Sequence, residues 1–262
     1  MNRNELKKEN LAIQRRYESH YFPKVKASIN STVHETISAV KSHGVHGGIS
    51  SLHKKLLNPN LTKELWNMDK AVGSRFANRQ WAAFNRQKRQ KGFGNNPDWI
   101  ARLQEKLYQF IVQQSYSIFS TTKDVLIRTL NKSIEEGWGV DETVKALEEL
   151  DLADYQAARI VRTEITRAAN AGSQVASESF PYEQQKEWLA THDDRTRHAH
   201  MRLDGIVVDE QDYFIDEDGN ALRFPGDPEA AAETTINCRC SMAVVAKVTE
   251  RGRLIPKQNV VA

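Results

Sequence analysis

Cysteine is the scarcest informative residue here: two in 262, Cys238 and Cys240, with one residue between them. A disulfide across so short a span fits poorly with the Cα–Cα separation that the bond needs, so this is not a disulfide scaffold. Long apolar runs are also missing. No stretch approaches the ~18 consecutive apolar residues that suggest a membrane span. The first residues, Met1-Asn2-Arg3-Asn4-Glu5, are polar and lack the apolar core of a secretory signal, so synthesis in a cytoplasm is the expectation. Proline and glycine are few, and no repeat of 20–50 residues is visible, which argues against disordered and solenoid architectures.

What is present is charge, unevenly placed. Residues 1–100 hold 18 Lys/Arg against 7 Asp/Glu, residues 101–262 hold 19 against 27, and the net charge is +3. Residues 183–237 alone carry 14 acidic and 5 basic side chains. Such asymmetry points to different partners for the two regions: DNA or an acidic protein surface for the basic one, or simply a solvated helical face.

Hydrophobic spacing predicts helix over residues 3–42, through Leu6, Ile13, Tyr17, Val25, Ile29, Val33, Ile37 and Val40, with a kink or restart at Pro23 and a stop at Gly44. Asn58-Pro59 marks a break before a helix through Trp66, Val72, Phe76 and Phe84. Arg86 to Asn96 reads as an exposed loop, and its Arg86, Lys88, Arg89 and Lys91 are the candidate nucleic-acid contacts. Helix is predicted over 99–136, with an interruption at Thr121-Thr122. A second follows over Glu142–Leu150, with Asp141 as N-cap, and a third over about Ala153–Ser179, ended by Pro181.

Beyond Pro181 short apolar clusters alternate with turn signals such as Asp204-Gly205 and Asp218-Gly219-Asn220. The fold class is therefore α+β: a mainly helical N-terminal region followed by a small irregular α+β module. The expected divisions are 1–97 (helical, basic), 98–180 (helical, leading into the module) and 181–262 (the module).

From about Arg159 to Val245 the pieces fall in a specific order. They are the helix Ala158–Asn170 containing Arg162-Thr163-Glu164, then Trp188, then Thr191 to Arg197 with Asp194, and His200 followed by Leu203-Asp204-Gly205. Phe224-Pro225-Gly226-Asp227-Pro228 comes next, and Asn237-Cys238-Arg239-Cys240 closes the series. This pattern resembles the phage Mu F-like head morphogenesis family. The resemblance implies a minor head protein of the virion, acting in capsid assembly near the portal. Portal and capsid proteins are then its partners, double-stranded DNA is a further contact of the basic region, and the role is structural rather than enzymatic. Residues carried by the pattern as structural motif are Arg162, Glu164, Asp194, Arg197, Gly205, Asp227 and Arg239.

The chemistry the residues offer centres on Cys238-Arg239-Cys240. On a strand, period two puts both sulfurs on one face and Arg239 on the other. The sulfurs then read either as soft ligands completed by a histidine, His192, His198 or His200, with zinc the metal, or as two small buried residues beside a packed histidine. His200 is preferred because it occupies the histidine position of the resembled pattern. Two alternatives to assembly stay open. One is a nucleic-acid-processing enzyme with His200 as base, Arg197 as anion binder and Asp194 nearby; the other is a DNA-binding protein with a structural zinc site.

Overall fold

The structure is a computed structural model that describes residues 2–87 and 98–257. Five helices precede the sheet: α1 (Arg3–His53), α2 (Pro59–Gln87), α3 (Asp98–Glu135), α4 (Val140–Glu148) and α5 (Leu152–Glu178). The C-terminal part holds β1 (Gln184–Leu189), α6 (His198–Leu203), β2 (Val207–Asp209), β3 (Phe214–Ile215), β4 (Ala221–Leu222), α7 (Ala232–Thr235) and β5 (Ser241–Ala246). A helical N-terminal region followed by a smaller α+β module is thus what the chain forms.

Local chemistry departs from expectation at four places. Pro23 lies inside α1 without a break, whereas Gly44, at φ 69°, does interrupt the helix, because glycine alone takes that conformation without a Cβ penalty. Thr121 and Thr122 leave α3 continuous; their hydroxyls donate back to the carbonyls of Ser117 and Ile118, both at 3.0 Å. Gly139, not Asp141, is the N-cap of α4, and its N–H donates to Glu142 Oε2 at 3.0 Å. Cys238-Arg239-Cys240 is not itself in a strand but leads into β5. Of the four basic loop residues, Arg86 is exposed at the end of α2, while Lys88, Arg89 and Lys91 lie outside the described residues.

The chain forms two compact units. One comprises residues 19–67 and 108–161. Its core gathers Val33, Ile37, Val40, Leu52, Leu126, Leu130, Val144 and Leu147. Asn58 fixes the start of α2 there. Its Oδ1 accepts from the amides of Asn60 and Leu61 at 3.0 and 3.1 Å, and its Nδ2 donates to the Ser28 carbonyl at 2.7 Å.

The other unit comprises residues 1–18, 68–107 and 162–262 and contains the whole sheet. Strand order is β2-β1-β5, all antiparallel, with β3 and β4 as a separate pair. Lys186 and Trp188 of β1 pair with Val244 and Met242 of β5, so these four share a face, and all are buried. Phe84 and Phe180 stack at 4.3 Å in the cluster that takes up Met242 and Val244. Trp188 packs instead with Leu203, Phe214, Leu222, Cys238 and Cys240. Helices α2 and α5 touch backbone to backbone: a Cβ on Gly172 would come within 2.2 Å of the Gly73 carbonyl oxygen.

Candidate metal centre

Three distant residues converge inside this unit. His200, on α6, puts Nδ1 at 3.6 Å from Cys238 Sγ and 3.7 Å from Cys240 Sγ. All three side chains are buried, and their ligand atoms lie within 4.8 Å of one another. A tetrahedral zinc, with nitrogen at about 2.0–2.1 Å and sulfur at about 2.3 Å, places such atoms roughly 3.5–3.6 Å apart. The observed spacing fits, and it fits for both sulfurs at once, whereas a thiol hydrogen bond to Nδ1 needs only one. Histidine and two cysteines are also the donor types that zinc prefers, so the three residues can coordinate a metal ion. Among the described residues, no fourth such side chain joins the group.

The two thiols act on each other. Cys240 is pulled well below its ordinary value by the hydrogen bond from Cys238, against the effect of burial and with help from His200. Cys238 is pushed up correspondingly by Cys240 and by burial.

Helix α5 holds the cysteine segment in place through backbone contacts. Thr166 Oγ1 donates to the Cys238 carbonyl at 2.6 Å. Asn170 Nδ2 donates to the carbonyls of Pro225 at 2.9 Å and Cys240 at 3.2 Å, and its Oδ1 accepts from the Met242 amide at 3.0 Å. Asn237, just before the first cysteine, sits at φ 65°, a conformation asparagine tolerates better than most residues. Its amide donates to Thr163 Oγ1 at 2.9 Å, and its Oδ1 accepts from Arg162 Nη1 at 2.8 Å. Thr163, Thr166 and Asn170 were not singled out from the sequence, although their spacing places them on one face of a helix.

Arg239, between the cysteines, forms a two-pronged pair with Asp193 at 2.7 and 2.8 Å. Asp194 is exposed, and its neighbour Asp193 makes the contacts. Arg197 precedes α6 and donates to the Ile236 carbonyl at 2.6 Å. Gly205, at φ 84°, turns the chain so that its amide reaches the Trp188 carbonyl at 2.9 Å. Asp227 is buried and accepts from Arg223 Nη2 at 2.6 Å. Burial alone would raise its carboxyl, but Arg223 and two backbone amides hold it low. Glu164 pairs with Arg167 of its own helix, and Arg167 also meets Asp69 at 2.5 Å. Burial raises Asp69 to about 7 despite that partner. The other candidate ligands are engaged elsewhere: His192 with Asp204 at 2.7 Å and His198 with Glu217 at 2.6 Å.

Residues 124–243, from α3 through β5, match the family described as Phage Mu protein F like protein. Over this segment, a little under half of the chain, the sequence is similar to that family. A stretch of 151 residues, 56% of this chain, is also 31% identical to the NAD(+)--arginine ADP-ribosyltransferase EFV of Enterococcus faecalis (strain ATCC 700802 / V583). The chain spans 29% of that protein's length. No solved structure matches it. These findings correct one expectation. A role that is structural rather than enzymatic does not stand beside a relative named as a transferase and a buried His-Cys-Cys group able to hold a metal. Among the described residues, no helix is long and apolar enough to cross a membrane.

Proposed function

We propose that this chain is a phage head component whose C-terminal module is organised by a zinc ion on His200, Cys238 and Cys240, and that it contacts nucleic acid in the head. The observation that carries the zinc reading is the near-equal distance of His200 Nδ1 from two buried sulfurs, 3.6 and 3.7 Å. Buried beside Trp188, whose ring lies 5.1 Å from that of His200, the ion would tie α6 to the segment entering β5 and so fix the module's core. The family match supports the head context, with portal and capsid proteins as neighbours in the virion. The basic N-terminal region supports nucleic-acid contact.

The test has two arms. Metal analysis of protein purified without added zinc should give about one zinc per chain, lost in His200→Ala. Binding to duplex DNA should weaken steeply with salt, as counterion release requires, and should weaken alike on unrelated sequences when Arg86, Lys88, Arg89 and Lys91 are changed to Gln. Metal-free wild-type protein overturns the zinc reading, and salt-insensitive binding, or none, overturns the nucleic-acid one.

One observation favours a second, enzymatic reading: three protein ligands are the number that catalytic zinc sites use, the fourth position being kept for water or substrate. Nuclease activity, or consumption of NAD+ as in the Enterococcus relative, lost in His200→Ala with the fold retained, would support it. Unchanged activity in that variant would remove His200 from it.

A further inference from the structure

A cavity of about 360 Å³, with Arg239 in its lining, lies between the first turns of α1 and the ends of β1 and β5. Lys7, Lys8 and Arg239 supply cationic lining, and Leu11, Leu189 and Ala190 supply an apolar wall. Among the described residues that line it there is no carboxylate. The acids nearby stand behind the lining and steady it. Asp193 grips Arg239, and Asp204 takes Lys7 at 3.3 Å and Arg3 at 2.7 Å. Lys8 differs: it is exposed, and no ion pair is recorded for it among the described residues.

We infer that this cavity binds a nucleotide, its phosphate against Lys8 and Arg239 and its organic part against Leu11, Leu189 and Ala190. The argument is one of complementarity. A phosphate needs N–H donors and positive charge, and a guanidinium held flat by one carboxylate still has donors to offer. The adjoining apolar wall suits the flat face of a base and would be wasted on a bare inorganic ion. The volume falls in the ordinary range for small-molecule sites. Arg239 lies between the two cysteines in the chain, so the metal centre and the nucleotide site are built from three consecutive residues. The inference deepens the nucleic-acid reading above, because the nucleotide can come from a DNA strand or from a free nucleotide pool.

The experiment is titration calorimetry of the full chain at low salt with three probes: 5′-dAMP, inorganic phosphate and a 12-nucleotide single strand. Lys8→Glu tests the site, since an exposed residue can be reversed without unfolding, and the exposed Lys145→Glu, in the other unit, is the control for net charge. The expected result is that 5′-dAMP binds at least fivefold more tightly than phosphate. Lys8→Glu should weaken it fivefold or more while Lys145→Glu changes it less than twofold, and Arg239→Gln should weaken it with the melting temperature checked in parallel. Binding of 5′-dAMP without binding of the strand keeps the site and sinks the DNA reading. Binding of both the strand and 5′-dAMP indifferent to Lys8→Glu sinks the site and leaves the DNA reading standing. Absence of 5′-dAMP binding, or equal weakening in both lysine variants, overturns the inference.

Discussion

Replacing His200 with Ala separates a metal centre from a packed histidine. If only packing holds the three residues together, the variant loses a fully buried ring that rests against Trp188 at 5.1 Å. A large-to-small change at such a site costs about 2–4 kcal/mol. For a unit of this size that lowers the melting temperature by about 5–15 °C, regardless of metal. If zinc is bound, the wild-type protein gains a second signature that packing cannot imitate. Every tenfold rise in free zinc above the dissociation constant adds about 1.4 kcal/mol, because the ion binds the folded state preferentially. The assay is thermal unfolding in zinc buffers spanning several decades, with a chelator at the low end. Wild-type melting temperature should climb by about 3–6 °C per decade. His200→Ala should be flat, and Cys238→Ser should be flat or nearly so. A wild-type melting temperature indifferent to zinc, with no loss on chelation, would refute the coordination argument, whatever the variant's absolute stability.

Two further outcomes follow from the clasp and the buried charges. Asn170→Ala removes four hydrogen bonds at once, one of them to Thr166 of its own helix, and strands the Pro225 and Cys240 carbonyls and the Met242 amide in the core, so urea unfolding should show a loss of about 3–5 kcal/mol; less than 1 kcal/mol would mean these contacts are incidental. Asp69, raised to about 7 by burial, holds its proton in the folded state over a range where the unfolded carboxyl has lost it. Its contribution to stability is therefore full below about pH 4 and is lost as pH rises towards about 7, so stability measured at pH 5 and pH 8 should fall more in wild type than in Asp69→Asn, and parallel profiles would count against it.

Several elements were legible because their signals are local. The stripe Ile160/Val161, Ile165, Ala168 and Val175 gave α5, and the turn residues around Asp204-Gly205 and Asp218-Gly219 marked the irregular module. His200 with Cys238 and Cys240 was legible through the resembled pattern and not through spacing, since 38 residues separate the histidine from the first sulfur. Less accessible were features decided by tertiary partners. Pro23 reads as a kink by its chemistry, yet α1 continues through it. Asp193 and Asp194 are equivalent on paper, and only the position of Arg239 selects the first. Thr163, Thr166 and Asn170 look like ordinary polar residues of an exposed helix face. What they bind are backbone groups some 55–75 residues away, and backbone groups leave no mark in a sequence.

The uneven charge of the chain takes on a different meaning once the partners are seen. A basic first hundred residues and an acidic stretch from 183 to 237 look like surfaces for two outside partners. Within one unit, however, Arg3 pairs with Glu187 and Asp204, and Lys7 also reaches Asp204. Burial alone would raise Asp204, yet hydrogen bonds from His192, Arg3 and the Ala190 amide hold it at about 2, so it stays ionised through any physiological pH. Part of the asymmetry is therefore an internal match that seats the start of α1 on the module, and those cations cannot be counted twice as DNA contacts. Lys8 follows them by one position on the same helix, faces a cavity instead of a carboxylate, and shares that cavity with the arginine between the two cysteines. The unspent charge of Lys8 thus lines the same cavity as Arg239, which is where the proposed nucleotide site needs it.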